Sequence, residues 1–217
     1  MPQSENRQYD AYLFDWDGTL AQTVEIWLDG MRVAYDHFGI AIADEKLAQN
    51  LGDWTAPIKN GIAERDMPEF NRILKEAGQE RGALTPPLFP GVLQTIGQLK
   101  RDNKKVVLIT SSERQVIDIA LAHHELVEQF DLILTVDDVT THKPDPEGIL
   151  VALEKLGMQK DQAVMIGDSD KDMGAAKNAG IDSILFYPPS HELVYDRAHL
   201  VSFEPKRIIT DWSEFFN

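Results

Sequence analysis

Short apolar runs impose the strongest constraint on the fold of this chain. Continuous apolar runs of this length, rich in β-branched and aromatic residues, are typical of strands buried on both faces of a sheet. They lie at residues 12–14, 106–109, 132–136, 163–166 and 183–187. Helical segments separate the later runs, at residues 91–100, 113–122, 146–156 and 172–179, with Gly180 closing the last. Strands that alternate with helices predict right-handed crossovers and a parallel sheet.

The alternation is interrupted between residues 20 and 89. This stretch contains only helical segments, at residues 23–38, 44–50, 57–65 and 69–81, and ends in a proline-rich hinge. A single crossover does not need so many helices, which indicates an inserted subdomain. The predicted fold is therefore α/β, a Rossmann-like parallel sheet core with an inserted all-helical cap subdomain. The core comprises residues 1–20 and 88–217, and the helical cap comprises residues 21–87. A weaker run at residues 200–203 predicts an edge strand, followed by a helix around Ser213.

Charge and composition exclude several classes of partner. The 217 residues carry 21 Lys and Arg against 36 Asp and Glu, a formal net charge of −15, and no basic cluster offsets it. A surface of this charge repels nucleic-acid backbones. The absence of cysteine excludes disulfides and thiolate metal sites. The polar start of the chain and the lack of a long apolar stretch predict a cytoplasmic protein without a membrane partner. The oligomeric state is left open between monomer and homodimer.

Polar residues follow the predicted strands where a parallel sheet forms its ligand crevice, beyond the carboxyl ends of the strands. Acids follow the first and fourth strands, hydroxyl side chains follow the second, and a lysine follows the third. These residues are Asp15 and Asp17, Thr110, Ser111 and Ser112, Lys143, and Asp168, Asp170 and Asp172. We expect them to converge at one edge of the sheet.

Asp15 and Asp17 are predicted to share one reaction centre. Side chains two residues apart on an extended strand point to the same face, and Gly18 permits a tight turn after them. A simple hairpin turn is the alternative, but it needs a second strand. Residues 21–26 instead indicate the start of a helix, which disfavours the hairpin.

The second acidic group resembles a calcium loop only in its first positions. Counting from Asp168, Met173 and Ala179 occupy the places where that loop needs glycine and glutamate, so the EF-hand pattern fails. For Asp170 and Asp172, a simple role at a helix N-terminus stays open. His191 lacks the second histidine of a zinc-binding helix.

Several carboxylates need positive charge before they can hold a phosphate group. At about 4 Å and an effective dielectric constant near 20, each like-charge pair costs on the order of 4 kcal/mol. Mg²⁺ together with Lys143 offsets this repulsion, and carboxylate oxygens are ligands that Mg²⁺ accepts. Thr110 and Ser111 add donors, although with Ser112 they also fit the N-cap of the following helix.

The ordered motifs DWDGTL at residues 15–20, Thr110, KPDP at residues 143–146 and GDSDKD at residues 167–172 resemble those of the haloacid dehalogenase superfamily. The similarity is to its phosphoglycolate-phosphatase-like branch with a small helical cap. The resemblance implies that Asp15 is the nucleophile, forming an aspartyl-phosphate, and that Asp17 is the general acid and base. It implies Mg²⁺ ligation by Asp15, the backbone carbonyl of Asp17 and Asp168, with Asp172 supporting the ion from outside or through water. Thr110, Ser111 and Lys143 would hold the phosphoryl group.

The acid at Asp17 disfavours dehalogenase, phosphonatase and transport members of the superfamily, which lack an acid there. The predicted function is therefore a Mg²⁺-dependent phosphatase acting on a small phosphorylated metabolite. A phosphosugar mutase of the same superfamily is the first alternative, and a non-catalytic phosphate- or magnesium-binding regulator is the second. The motifs do not identify the substrate. Trp54 and Lys59, in the predicted cap, are the candidate specificity residues.

Overall fold

The computed structural model describes residues 8–216 apart from residues 52 and 54. Among these residues, the strands form one parallel sheet in the order β3-β2-β1-β4-β5-β6. They are β1 Ala11–Phe14, β2 Lys105–Ile109, β3 Leu132–Leu134, β4 Ala163–Gly167, β5 Asp182–Phe186 and β6 Arg207–Ile209. The predicted α/β class with a parallel sheet is confirmed.

Both faces of the sheet are buried, as the uninterrupted apolar runs predict. Along β1, Tyr12 and Phe14 belong to the hydrophobic cluster on one face, whereas Ala11 and Leu13 belong to the cluster on the other. This alternation follows from the pleat, which points successive side chains to opposite faces. Strand β1 therefore lies at the centre of the core, between β2 and β4.

Four of the helices between β1 and β2 precede α5 (Val92–Arg101), and we call the segment that they span, residues 24–80, the helical insert. They are α1 Val24–His37, α2 Asp44–Gln49, α3 Ala56–Lys59 and α4 Met67–Glu80. The insert has its own hydrophobic cluster, built around Met31, Tyr35, Leu47, Phe70 and Ile73. The predicted helix at residues 57–65 is shorter than expected, because α3 ends at Lys59 and only a 3-10 turn at Glu64–Asp66 follows. The boundaries of a separate cap subdomain at residues 21 and 87 stay a prediction.

The remaining helices cover the sheet. They are α5 Val92–Arg101, α6 Arg114–His123, α7 Glu147–Leu156, α8 Asp170–Ala179 and α9 Arg197–Val201. In the described part of the chain, no helix is both long and apolar enough to span a bilayer.

The predicted edge strand at residues 200–203 is wrong. Residues 197–201 form α9, and the edge strand is β6, several residues later. The Asp196 carboxylate accepts hydrogen bonds from the backbone N–H groups of Ala198 and His199, which starts the helix. A short apolar run does not separate a strand from a buried helix by periodicity alone. The predicted helix around Ser213 is a single 3-10 turn, Trp212–Glu214.

Trp212 anchors the end of the chain against the sheet and meets the start of α5. Its ring lies 5.9 Å from that of Phe14 and 5.1 Å from that of Phe186. Gly91, at the N-cap of α5, has a φ of +92°, and a Cβ atom there would lie 2.8 Å from Trp212 Cβ. The close contact and the left-handed backbone therefore both require glycine at this position.

Gly91→Ala is expected to destabilise the fold more than Gly82→Ala. Gly82 has a φ of +91°, but no atom lies within 4 Å of the place that an added methyl group would occupy, so it is the matched control. The left-handed backbone costs each variant about 1–2 kcal/mol, and overpacking against Trp212 adds about 1–3 kcal/mol for Gly91 only. Urea unfolding measures both losses, and equal losses would contradict the tight contact.

Candidate active site

Lys143 lies at the centre of the polar residues that the sheet edge gathers. Its ammonium nitrogen Nζ lies 2.6 Å from Asp15 Oδ1 and 2.7 Å from Asp172 Oδ1, and it donates to the Ile109 carbonyl at 3.2 Å. Its side chain is 8% exposed, so these contacts are shielded from solvent. The ends of β1 and β2, the loop after β3 and the start of α8 meet at this lysine.

Asp168 joins Asp15 and Asp172 in a buried cluster, in which carboxylate oxygens of all three lie within 4.8 Å of one another. Burial, reinforced by the charge of Asp172, raises the pKa of Asp15 to about 7. Burial and Asp172 likewise raise the pKa of Asp168 well above its ordinary range. Burial lowers the pKa of Lys143, but the charges of Asp15 and Asp172 outweigh this effect and raise it above its ordinary value. The cluster thus holds three carboxyl groups, two of which contact the ammonium group of Lys143.

The cluster fits a divalent cation. Its donors are hard carboxylate oxygens, the type that Mg²⁺ prefers. When ionised, the three carboxylates carry more negative charge than the single positive charge of Lys143 can offset. In the part of the chain that is described, Asp168 Oδ2 is buried and has no hydrogen-bond partner. A cation in contact with this oxygen would satisfy it.

Residues Gly18 and Thr19 connect the end of β1 to Asp168. Gly18 has a φ of +75°, and a Cβ atom there would lie 2.9 Å from Asp168 Cγ. The Thr19 hydroxyl donates to Asp168 Oδ1 at 3.1 Å. The backbone after β1 can approach this carboxylate closely only because residue 18 carries no side chain.

The Asp17 carboxylate lies outside the buried cluster and is held by two donors. The Ser112 hydroxyl donates to Asp17 Oδ2 at 2.6 Å, and the Trp27 indole N–H donates to Asp17 Oδ1 at 3.4 Å. Ser112 is not the N-cap of α6, because that residue is Glu113, whose side chain forms no capping hydrogen bond. The alternative of a capping role for Ser112 is therefore wrong, and no sequence pattern singles out Trp27. The polar run after β2 is the signal that identifies the serine as a candidate.

Thr110 and Ser111 lie beside Lys143. All three line a cavity of about 20 Å³, close to the space that one water molecule needs. Thr110 is buried, and its hydroxyl oxygen accepts a hydrogen bond from the Ser112 backbone N–H at 3.0 Å. The two predicted phosphate-binding residues are thus brought next to the predicted lysine.

Asp172 both starts a helix and contacts Lys143. Its Oδ2 atom accepts from the backbone N–H of Ser169 at 3.1 Å in a capping box that starts α8, while Oδ1 contacts Lys143. Asp170 opens the same helix and lies 4.0 Å from His199 Nε2.

The two specificity candidates in the predicted cap are Trp54 and Lys59. Trp54 lies outside the described residues. Lys59 is exposed, and its ammonium nitrogen donates to Asp53 Oδ2 at 2.9 Å. Hydrogen bonds from Thr55 and Lys59 hold the pKa of the Asp53 carboxyl well below its usual range. The charge of Lys59 is therefore already paired with an acid.

His191 is a residue near the site that the sequence motifs do not identify. It is fully buried, and its Nδ1 atom lies 3.6 Å from Asp168 Oδ2. Burial lowers the pKa of His191 to about 4, so the imidazole is neutral at physiological pH. No local sequence pattern distinguishes this histidine, because its burial depends on residues that are distant in the chain.

Glu147 orders the loop that carries Lys143. Its carboxylate accepts hydrogen bonds from the backbone N–H and the hydroxyl groups of both Thr140 and Thr141, at 2.6–3.1 Å. These bonds, the Thr141 hydroxyl first, lower the pKa of Glu147 from its ordinary value of 4.5 to about 2. The ionised carboxylate is therefore the form that the folded loop favours.

Glu147→Gln is expected to destabilise the protein in a pH-dependent manner. Because the folded-state pKa of Glu147 is depressed, its contribution is fully present above about pH 4.5 and is lost as the pH falls towards 2. The difference in urea midpoint between the wild type and the variant should therefore be larger at pH 7 than at pH 3.5. Glu154→Gln, on the same helix, controls for the loss of one negative charge. A difference independent of pH would contradict this role.

The fold and the site together define an α/β enzyme that gathers carboxylates, a lysine and hydroxyl groups at the carboxyl edge of a parallel sheet. A model of the haloacid dehalogenase-like hydrolase family matches residues 12–186. The chain belongs to this family, and the predicted assignment to haloacid dehalogenase-type hydrolases is confirmed.

Relatives and solved structures agree with this membership. "Pyrophosphatase PpaX" of Bacillus cereus (strain AH820) is 28% identical over 169 residues, which cover 77% of this chain and 78% of the relative. A haloacid dehalogenase-like hydrolase of Bacteroides fragilis has a TM-score of 0.82 at 28% identity, covering 96% of this chain and 100% of its own. A structure from Lactobacillus plantarum, described as a phosphoglycolate phosphatase, has a TM-score of 0.81 at 21% identity, with 96% and 98% coverage. The last likeness concerns the fold alone.

Proposed function

We propose that the protein is a Mg²⁺-dependent phosphatase that hydrolyses a small phosphate monoester through an aspartyl-phosphate on Asp15. The contact of the Lys143 ammonium group with Asp15 Oδ1, beside the buried acidic cluster, carries the proposal. It fixes a carboxylate at the sheet edge with positive charge beside it. The relative named as a pyrophosphatase supports a hydrolysis reaction at phosphorus, although pyrophosphate is an anhydride and not an ester.

Asp15 attacks phosphorus in the first step. A bond forms between its carboxylate oxygen and phosphorus while the bond from phosphorus to the ester oxygen breaks, which leaves the phosphoryl group on Asp15. Lys143 orients the nucleophile through its 2.6 Å contact with Oδ1. Thr110 and Ser111, beside Lys143, hold the oxygens of the transferring group.

Asp17 moves the protons. It protonates the departing ester oxygen in the first step and accepts a proton from the attacking water in the second, which releases phosphate and regenerates Asp15. The Ser112 hydroxyl and the Trp27 indole N–H orient the two carboxylate oxygens of Asp17. These two hydrogen bonds fix the position and orientation of the Asp17 carboxylate.

Asp15, Asp168 and the backbone carbonyl of Asp17 would hold Mg²⁺, with Asp172 supporting the ion from outside or through water. The ion would supply positive charge to the phosphoryl oxygens as the phosphorus–oxygen bonds change. The buried oxygens of Asp15, Asp168 and Asp172 support this assignment because they lie within 4.8 Å of one another.

We assign residues 21–87 as a cap that selects the substrate. The insert reaches the site through Trp27 of α1, whose indole N–H donates to Asp17 Oδ1. The Trp27 ring also packs closely against α4, because a Cβ atom added at Gly78 would lie 2.8 Å from Trp27 Cζ3. Trp54 and Lys59 are the proposed specificity residues. Because Lys59 is paired with Asp53, a substrate that uses its charge must compete with that acid.

The two acids of the first motif should respond differently to substitution. Asp15→Asn is expected to abolish phosphate release, because the amide cannot form the phosphoenzyme. Asp17→Asn should lower kcat by about 10²–10⁴, most for esters with poor leaving groups. Steady-state phosphate release from aryl and alkyl phosphates with Mg²⁺ measures both effects. Near-normal turnover by Asp15→Asn would refute the mechanism, and isomerisation of a sugar phosphate with little phosphate release would identify a mutase instead.

Metal removal is expected to eliminate hydrolysis. Exhaustive chelation should reduce turnover to background, and Mg²⁺ should restore it. Ca²⁺ should restore little activity, because it is larger than Mg²⁺ and takes more oxygen ligands at longer distances and in a less fixed geometry. Turnover that survives chelation would refute the metal requirement.

A further inference from the structure

The turn that follows β5 packs directly against the acidic cluster. Its 3-10 segment, Pro189–His191, places the His191 side chain in the interior, 0% exposed. The Tyr187 hydroxyl donates to the Tyr195 carbonyl at 2.8 Å, and the Tyr195 backbone N–H donates to the His191 carbonyl at 3.0 Å. The turn is therefore closed on itself from residue 187 to residue 195.

His191 faces Asp168 with an atom that has no other partner. Across the residues that the structure describes, neither ring nitrogen of His191 forms a hydrogen bond, and neither does Asp168 Oδ2. Nδ1 and Oδ2 are 3.6 Å apart, which exceeds a normal N–H···O distance by about half an ångström. Nδ1 and Oδ2 are thus two buried polar atoms that face each other without forming a hydrogen bond, and a small rotation of either side chain would join them.

Three aromatic rings surround His191. Aromatic rings of Phe89, Phe186 and Tyr195 lie 6.1, 6.2 and 5.5 Å from the imidazole, each at nearly a right angle. These neighbours offer no acceptor through their side chains, apart from the hydroxyl of Tyr195, which itself interacts with Asp168. The Asp168 carboxyl group, 3.6 Å away, is thus the acceptor that Nδ1 faces.

The same turn contacts the helical insert. Val194 is buried in a cluster with Val24 of α1 and Ala48 of α2, and Tyr195 packs against this cluster. The turn therefore connects two parts of the molecule, since its His191 faces the acidic cluster while Val194 supports the insert.

We propose that His191 is a positioning residue for Asp168: its Nδ1–H donates to Oδ2 and fixes the direction in which the carboxylate presents its oxygens to a divalent cation. Ligating carboxylates are commonly hydrogen-bonded by neighbouring groups, and loss of such a partner weakens metal binding about 10- to 100-fold. This inference rests on the proposed metal-dependent function. His191 touches neither the substrate nor the cation.

Four variants separate positioning from packing. His191→Leu keeps a similar volume and removes both ring nitrogens. His191→Asn places an amide N–H near the position of Nδ1, whereas His191→Gln extends its amide towards the position of Nε2. His37→Leu, an exposed histidine of α1, is the matched control. Mn²⁺ binding to each protein without substrate, followed by the paramagnetic resonance signal of free Mn²⁺, measures affinity, and thermal unfolding without metal measures stability.

We expect His191→Leu and His191→Gln to bind Mn²⁺ about 10-fold more weakly than the wild type, with metal-free unfolding temperatures close to or above it. His191→Asn should stay within about 3-fold. In turnover, the Mg²⁺ concentration for half-maximal rate should rise for the Leu and Gln variants, while kcat at saturating Mg²⁺ changes far less.

Wild-type Mn²⁺ affinity in the Leu or Gln variant would overturn the inference, as would equal weakening in Asn and Gln. If the Leu variant fails to fold, the comparison of Asn with Gln decides the same question. Absence of Mn²⁺ binding by the wild type would also overturn it. A wild type that binds Mn²⁺ and shows the expected ranking of variants but hydrolyses no phosphate ester would refute the proposed function and leave the role of His191 standing.

Discussion

The buried ammonium group of Lys143, held between Asp15 and Asp172, is the interaction on which the rest of the site depends. Burying a lysine is unfavourable unless its charge is compensated, and here two carboxylates compensate it at 2.6 and 2.7 Å. Removing one partner from such an arrangement typically costs about 3–5 kcal/mol, because the remaining charge stays buried. The lysine also fixes three segments relative to one another: the end of β1, the loop after β3 and the start of α8.

This lysine does not balance the acids that surround it. Burial and the charge of Asp172 raise the pKa of Asp15 to about 7, so a further positive charge nearby favours the ionised carboxylate that nucleophilic attack requires. In the proposed function, a cation bound to the cluster would supply that charge. The acidic surplus that opposes folding would thereby be the feature that attracts the ion, which is a common compromise at functional sites.

Much of the fold and most of the candidate site were predictable because both follow local rules. Continuous apolar runs mark buried strands, and polar residues after parallel strands meet at one edge, as Asp15, Lys143 and Asp168 do. Where one local pattern fits two structures, the sequence does not decide between them. A serine before a helix looks like a cap, yet Ser112 holds Asp17, and the apolar run at residues 200–203 lies partly in a helix. The position of His191 depends on packing between distant segments, which no local pattern encodes.

The central position of β1 also has a consequence for biosynthesis. This strand is synthesised before its two neighbours, β2 and β4, which begin only at residues 105 and 163. At about 5–20 residues per second, the proposed nucleophile Asp15 therefore emerges roughly 6–30 seconds before Lys143 and Asp168. During that interval Asp15 has neither Lys143 nor Asp168 beside it. If Asp15 is the nucleophile, as proposed, it therefore has to wait for β4 and the acids that follow it before the site is complete.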